Sequence, residues 1–542
     1  MRKYLLYLVL PFCWACSNFI DVEPENSVTY TNFFKSKKDA EALLTELQVH
    51  MTTVFLSQWT EAAGDMAEVN EQFLPTDLTS WGMVFDWAPF FRLIYQADLI
   101  LDNAHRFESL TKEELEPYVL QAYFAKGVAY FYLAMTFGDA PISKGTLFIE
   151  KLPQSPMSEV LDMADSCLSK ALKLPVYEEM VSATSEARMK QYGSKGAAAA
   201  LLAHLYAWRA GVEGKKECWA KAEEYCSMII EGRAGNYKMV DTPEEVCVNV
   251  LKGGSDESIW EIYSDASENK EYAYRNDFVR FPVLLNGEFY PGAGIPYPYL
   301  TKETVRNMYS MGDLRRESYY YALDTDFIYL NKVGENVVVG TTPGDVVLKY
   351  DVRELDETYM YKFRYPYYEK NEYDPRPSFR GMSQNKVLYR LADIYLLRAE
   401  CRARQNRRDL AVSDLNYVRG RAYGNMEDGN IKNGDDVSRY SYPTSEDIKN
   451  GLDANLCLAI FKEREKELSY EGYRYYDIMR NGYCFLRGED SHDYIRKEIS
   501  KYYEQLTDQD IKDGAMYCML MDVCFDNNDL IRQNRYWNRR IQ

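Results

Sequence analysis

The densest run of ionisable residues is Phe461-Lys462-Glu463-Arg464-Glu465-Lys466-Glu467-Leu468, continuing through Glu471-Gly472-Tyr473-Arg474 to Asp477. Carboxylates crowded among cations could act as general acid and base, one group giving a proton while another takes it. On a helix, however, Arg464 and Glu467, or Glu471 and Arg474, stand three residues apart and pair on one face. The run is therefore expected to be an ion-pair lattice tying a helix to its neighbours, since structural networks perturb charges as active sites do. Other catalytic chemistry has little to start from. The four histidines (His50, His105, His204, His492) form no HExxH and no clustered ligand spacing, so no metal is expected. No GxSxG elbow or Walker loop occurs, and Gly287, Gly292 and Gly294 lie among Pro and Tyr without a following helix to cradle phosphate. A glycosidase needs two carboxyls about 5–10 Å apart across a bond, and the βα alternation of a barrel hydrolase is missing. No enzyme activity and no cofactor are expected.

Aromatic residues in irregular stretches offer a different chemistry, that of binding. One group is Trp59, Phe73, Trp81, Phe85 and Trp87; a second is Phe289, Tyr290, Tyr297 and Tyr299, stiffened by Pro291, Pro296 and Pro298; a third is Tyr319 to Tyr321. A sugar ring presents an apolar CH face and a hydroxyl rim, which a rigid aromatic and nearby polar side chains satisfy together. Asn70, Gln72, Asp77, Arg280 and Asn286 are the polar partners within reach in sequence. The candidate ligand-binding set is thus Trp81, Asn70, Gln72, Asp77, Tyr290, Tyr297, Tyr299 and Arg280. Most of the named aromatics are expected to anchor loops on the body, with roughly a third touching ligand; Trp87, with Phe91 and Tyr95 at four and eight residues, belongs to the core.

At the N-terminus, Arg2 and Lys3 precede an apolar run from Tyr4 to Ala15 of signal-peptide length, too short to span a bilayer as a helix. The run ends at Ala15-Cys16-Ser17, which resembles a bacterial lipoprotein cleavage site, although Cys13 and Trp14 depart from its usual residues. Cys16 is the expected lipidation site, and more than one acyl chain is what stable anchoring needs. The nine cysteines from Cys167 onward follow no disulfide framework; Cys518 and Cys524 could pair, but their spacing proves nothing. The formal net charge of −19 repels phosphate backbones and argues against nucleic-acid partners.

The elements that must position these residues are mainly helical. Apolar periodicity predicts helices over 38–56, 88–105, 114–137, 157–174, 194–209 and 219–231, separated by short turns such as Gly138-Asp139-Ala140-Pro141. Ala197, Leu201, Leu205 and Trp208 share one stripe. From about 240 to 383 Pro, Gly, Asn and Tyr become frequent, and 258–263 and 345–352 suggest small strands. Helices return over 385–405, 409–423 and 448–481, before a tail with few regular signals. The expected fold is mainly α: a tetratricopeptide-like scaffold of helical hairpins with a long irregular central insertion containing short strands. The expected division is a signal peptide at 1–15, an N-terminal helical region at 16–240 and a C-terminal region at 241–542 containing the 241–383 insertion, packed as one body.

Several segments resemble the SusD/RagB family of outer-membrane nutrient-binding lipoproteins. They are the start Cys16-Ser17-Asn18-Phe19-Ile20-Asp21-Val22-Glu23-Pro24; Phe131 to Phe137 running into Gly138-Asp139-Ala140-Pro141; and the Ala-rich stretch from Gly193 to Ala203. Further on come Tyr389-Arg390-Leu391-Ala392-Asp393-Ile394-Tyr395-Leu396-Leu397-Arg398-Ala399-Glu400, Asn416 to Ala422, and Glu463 to Asp477. The last is Asn528-Asp529-Leu530-Ile531 with Gln533-Asn534-Arg535-Tyr536. Cys401 and Arg402 replace the usual small residues after the Ala-Glu pair.

The resemblance implies a lipid-anchored protein at the cell outer membrane, exposed at the surface, with a SusC-like TonB-dependent transporter as partner. Glycan capture and delivery without chemistry is the implied function; the alternative is oligopeptide capture, as in the RagB branch. If Cys16 carries the lipid, Cys16→Ser is expected to release the protein from membrane fractions. Continued lipid labelling of that variant would overturn the assignment.

Overall fold

The computed structural model describes residues 33–56, 86–180, 190–265, 299–432, 436–486 and 507–541, apart from positions 322, 334–335, 341, 355, 372–373 and 527. Its first six long helices are α1 (Lys37–Leu56), α2 (Ala88–Asn103), α3 (Lys112–Phe137), α4 (Met157–Ala171), α5 (Lys195–Trp208) and α6 (Cys218–Ile230). Each packs against the next, so the chain folds back on itself in successive hairpins. Local sequence sets their ends. Thr111 accepts from Glu114 N and the Glu114 carboxylate returns to Thr111 N, a capping box that starts α3. Gly138, at φ 78°, ends it in a conformation that a side chain rarely adopts. The alanine run of α5 is wholly buried, because methyl-sized side chains let neighbouring helices close on it.

The centre carries more strand than the sequence suggested. β1 (Ser258–Ile262) falls where a strand was expected, and β2 (Tyr299–Thr301) and β3 (Tyr320–Tyr321) follow. Next come β4 (Phe327–Val333), β5 (Asn336–Gly340), β6 (Val346–Asp351), β7 (Glu357–Met360), β8 (Pro366–Asn371), β9 (Asp374–Met382) and β10 (Lys386–Arg390). They pair antiparallel in small sheets: β5-β4-β6, β2-β7-β3, β8-β9 and β1-β10. In the last, Trp260 stands opposite Tyr389 and Ser258 opposite Arg390. Residues 386–390 were expected to open a helix; they form a strand because Lys-Val-Leu-Tyr-Arg is buried throughout and takes its backbone partners from β1. The following helix, α7, is Leu391–Arg404, and α8 is Arg408–Ala422.

The single helix expected over 448–481 is three. Ser445–Lys449 is one short turn, α9 spans Leu456–Glu467 and α10 spans Arg474–Leu486. Asn455 caps α9 by accepting from Leu458 N, while Tyr470 (φ 63°) and Gly472 (φ 87°) turn the chain between α9 and α10. One apolar cluster runs from Phe34 to Ile531 through both halves of the chain. All nine described cysteines are free, and Cys518 and Cys524 are not joined. Burial pushes the Cys167 thiol up to about 11 and the Cys247 thiol to about 12, so these two pack as small apolar groups.

The charged run does build a lattice, but not through the pairs that helical spacing predicted: Arg464 and Glu467 share α9 yet are taken by partners from other elements, and Glu471 lies in the turn between α9 and α10 while Arg474 turns back to Glu465. Arg390 is its hub. Its guanidinium meets Glu257 at 2.9 Å, Glu467 at 3.0 Å and Glu471 at 2.6 Å, and its Nη2 donates to the Glu467 carbonyl. Arg421 bridges Glu257 and Glu467 at 2.6 and 2.5 Å, and Arg315 reaches Glu467 at 3.2 Å and Glu463 at 2.7 Å. Lys362 Nζ pairs with Glu471 and donates to the Glu467 and Ser469 carbonyls. A second arm joins Arg464 to Asp393 and Asp477, and Arg480 to Asp477 and Glu400. All of these side chains are buried.

Burial pushes the Glu463 carboxyl up, but Arg315 and Arg419 pull it further down, to about 2. The same balance, with Arg421 and Arg390 prevailing, holds Glu467 well below the usual carboxylate range. Depressed carboxyls contribute stability that is complete above their unfolded value, near 4.5, and disappears as the pH falls through the folded one. Tm should therefore be nearly level from pH 7 to about 5 and fall steeply toward pH 2. A Tm unchanged at pH 2.5 would show that these carboxyls titrate in the fold as they do in the unfolded chain. Arg390→Met, leaving three carboxylates facing a hole, should cost roughly 3–5 kcal/mol in urea unfolding; a loss below 1 kcal/mol would deny Arg390 its place as hub.

Candidate functional site

Of the candidate ligand-binding set, Trp81, Asn70, Gln72 and Asp77 lie in segment 57–85, and Arg280, Tyr290 and Tyr297 in segment 266–298, outside the described residues. So does Cys16. Tyr299 opens β2, with its backbone paired to Tyr359 of β7. The third aromatic group is corrected: Tyr319, Tyr320 and Tyr321 are buried, and Tyr319 donates its hydroxyl to Glu467 in the lattice, so none can meet a ligand. Trp87 is core, as its spacing predicted, edge-on to Phe91 and Phe137.

What the described residues do supply is the platform from which the aromatic segments depart. Gln191 is its pin. Its Nε2 donates to Gln48 Oε1 and Thr52 Oγ1 of α1, at 3.2 and 3.3 Å. Its Oε1 accepts from Tyr263 N at 2.8 Å and its carbonyl from Trp260 Nε1 at 2.9 Å. Beside it Lys190 donates to the Ser258 carbonyl, and Lys386 to the Phe55 carbonyl at 3.4 Å. Phe55 meets Trp260 edge-on, with centroids 5.4 Å apart. Leu56, the last described residue before segment 57–85, and Asp265, the last before 266–298, therefore issue from one rigid junction of α1 and β1. At the other end of the second segment, Thr358 of β7 donates its hydroxyl to the Tyr321 carbonyl, locking the sheet that begins at Tyr299. Rigid elements carrying variable loops are the usual way to build a recognition surface. No sequence signal distinguished Gln191 from any other glutamine.

Among the described residues, two open clefts are large enough for a small ligand. One, of about 520 Å³, lies between Lys238, Asp241, Lys252, Asp256, Tyr365 and Asp428. The other, of about 400 Å³, separates the Gly138-Asp139 turn from Tyr517, Arg532 and Arg535. Neither brings a nucleophile to a base. The groups with catalytic-looking environments are enclosed. Burial pushes the Glu261 carboxyl up, but its oxygens are taken by Gly254 N, Ser258 Oγ and Asn385 Nδ2, and it is sealed from solvent. His204 meets Asp393 at 2.8 Å, yet Asp393 is also paired with Arg464, and the imidazole is flanked by Tyr389 and Tyr473. The cavity beside it, about 40 Å³, admits water and nothing as large as a sugar. Among the described residues no group of three or more His, Cys, Asp or Glu is placed to hold a metal ion.

Comparison with known proteins agrees over most of the chain. A family described as the SusD family matches residues 251–537, and one described as starch-binding associating with outer membrane matches residues 18–207. SusD-like protein P25 of Formosa agariphila is 23% identical over 519 residues, covering 89% of this chain and 90% of its own. A SusD homolog from Bacteroides thetaiotaomicron superposes with a TM-score of 0.66 at 20% identity, over 93% of this chain and 99% of its own. A laminarin binding SusD-like protein superposes at 0.59 with 17% identity, over 92% and 99%. With more than half its length matched by the first of these families, and its motifs in that order, the chain belongs to the SusD family.

Proposed function

We propose that this protein is a non-catalytic, cell-surface lipoprotein that captures glycans and delivers them to a SusC-like TonB-dependent transporter in the outer membrane. Membership of a family with starch-binding and laminarin binding relatives supports the ligand class. The observation that carries the reading to this chain is the Gln191 junction, where the starts of two aromatic-rich segments are held together on a rigid body. In this proposal Trp81, Tyr290, Tyr297 and Tyr299 stack on sugar faces, and Asn70, Gln72, Asp77 and Arg280 bond their hydroxyls. Cys16 carries the lipid, and the body divides near residue 240 into the two SusD-like regions.

Binding would be reversible and driven by preorganised aromatics, which lose little rotamer freedom when a ring settles on them. The test is an array of glycans and oligopeptides probed with residues 17–542. Glycan binding should appear, and Trp81→Ala should weaken it roughly 10- to 30-fold, as loss of a central aromatic contact does. Far-UV circular dichroism and Tm should be unchanged. A large fall in Tm would make Trp81 a core residue, and binding to peptides alone would move the protein to the RagB-like alternative.

A further inference from the structure

The loop joining α3 to α4 is bolted down at one end and bare at the other. Ser143 N donates to Tyr130 Oη at 2.8 Å, and Ser143 Oγ to Asp98 at 2.7 Å. Thr146 donates its N–H and its hydroxyl to Asp102 Oδ2, at 2.7 and 2.9 Å. Gly145 fits there because it has φ +100° and a Cβ would lie 2.8 Å from that same oxygen. Immediately beyond this clamp, Leu147 and Ile149 are 80% and 93% exposed. The chain's C-terminal segment lies alongside: Lys151 pairs with Asp529 at 3.0 Å, Asn528 donates to the Leu152 carbonyl, and the neighbouring Leu530 is exposed too. Rigid aliphatics held in water gain nothing for the fold, and grouped on one face they mark a contact surface.

Charge and chain path say what the contact is. Lys144 on the loop, and Lys512, Arg532 and Arg535 along the adjoining cleft, form no ion pair with the described residues; of the acids here Asp513 and Asp529 are neutralised by Arg539 and Lys151, which leaves Asp139 and Glu150 to set against those four cations. This face is thus richer in free cations than an acidic chain of net charge −19 would suggest. Arg106, one helical turn beyond Asp102, stacks on Phe34, so the described chain enters the body beside the clamp. Phe33 follows Cys16 by seventeen residues, a reach of at most about 60 Å even when fully extended.

We infer that this face seats the protein on the bilayer that holds its lipid anchor, with Leu147, Ile149 and Leu530 in the interfacial layer and Lys144, Lys512 and Arg535 toward anionic head groups. The inference rests on the proposed lipidation of Cys16. Exposed Glu150 keeps the contact shallow, at head-group depth. Anchor and face together give two signals for membrane residence, and they fix which side of the body turns outward.

The test uses full-length lipidated protein in phosphatidylethanolamine–phosphatidylglycerol vesicles with brominated acyl chains, which quench nearby indoles. Leu147→Trp and Ile149→Trp should each lose most of their added emission relative to unbrominated vesicles. Leu410→Trp, at an exposed aliphatic position on α8, should lose none. Flotation of the wild type, absent in Cys16→Ser, checks the anchor separately. Flotation without quenching at 147 or 149 overturns this inference and leaves the anchor standing; no flotation of the wild type overturns both. Quenching that is absent while Leu147→Ser with Ile149→Ser dissolves a dimer in sedimentation would assign the face to a second copy instead.

Discussion

A guanidinium removed from water has to be matched by carboxylates in fixed positions, and this fold is arranged around meeting that demand at Arg390. Its three carboxylate partners come from the turn before β1, from the end of α9 and from the turn before α10. Glu467 and Glu471 are four residues apart, but Glu257 and Arg390 are remote from them and from each other in sequence, so the charge can be satisfied only when β10, β1 and the turn joining α9 to α10 are all in place. The cost of an unpaired buried charge is what makes such an arrangement all-or-none. Replacing the whole set with apolar groups could be as stable, but it would not select one register so sharply; here Arg390 both closes β10 and begins α7. The shared use of Glu257 and Glu467 by Arg390 and Arg421 extends the same constraint to α8.

The lattice also encloses several of the most strongly displaced carboxyls of the described body. The buried carboxyls Glu463, Glu467 and Glu261 all have displaced titration, yet they are saturated by guanidiniums or by hydroxyl, amide and backbone donors and lie outside both open clefts. Displaced titration at a functional site requires a group both perturbed and reachable. Glu463, Glu467 and Glu261 are perturbed and unreachable. The rigidity so obtained is spent at the perimeter, where Gln191 joins α1 to β1 and the aromatic-rich segments begin, and where the clamp at Asp98 and Asp102 holds up Leu147 and Ile149. A binding protein of this kind needs a stiff frame beneath its contact residues, because every degree of freedom left in the frame is lost again on binding.

Much of the frame was legible in the sequence. The six N-terminal helices stand within a few residues of where apolar periodicity put them, and the strand at 258–262 was visible as a short apolar run. The motifs that carried the family resemblance gain a physical meaning in the fold: Arg390, Asp393, Arg398 and Glu400 of one segment, Arg419 and Arg421 of the next, and Glu463, Arg464, Glu467, Glu471 and Asp477 of the third all belong to buried ion pairs. Such spacing is diagnostic because few other side chains could satisfy the same partners.

By itself the sequence determined the helical class, the family, the presence of an ion lattice and the lack of a recognisable catalytic motif, since each is written in local period, composition or residue order. It did not determine which charges pair. Helical spacing favoured Arg464 with Glu467 and Glu471 with Arg474, but Arg474 pairs with Glu465, and Arg464, Glu467 and Glu471 take partners from Arg315, Lys362, Arg390, Asp393, Arg421 and Asp477, brought in by other elements. Nor did it show that 386–390 is a strand, a choice made by pairing with β1, or that Tyr319 to Tyr321 are interior. An exposed and a buried tyrosine look alike in a sequence; only the packing of distant elements decides which faces water. The same holds for Gln191 and for Leu147 and Ile149, whose meaning comes entirely from where the folded chain leaves them.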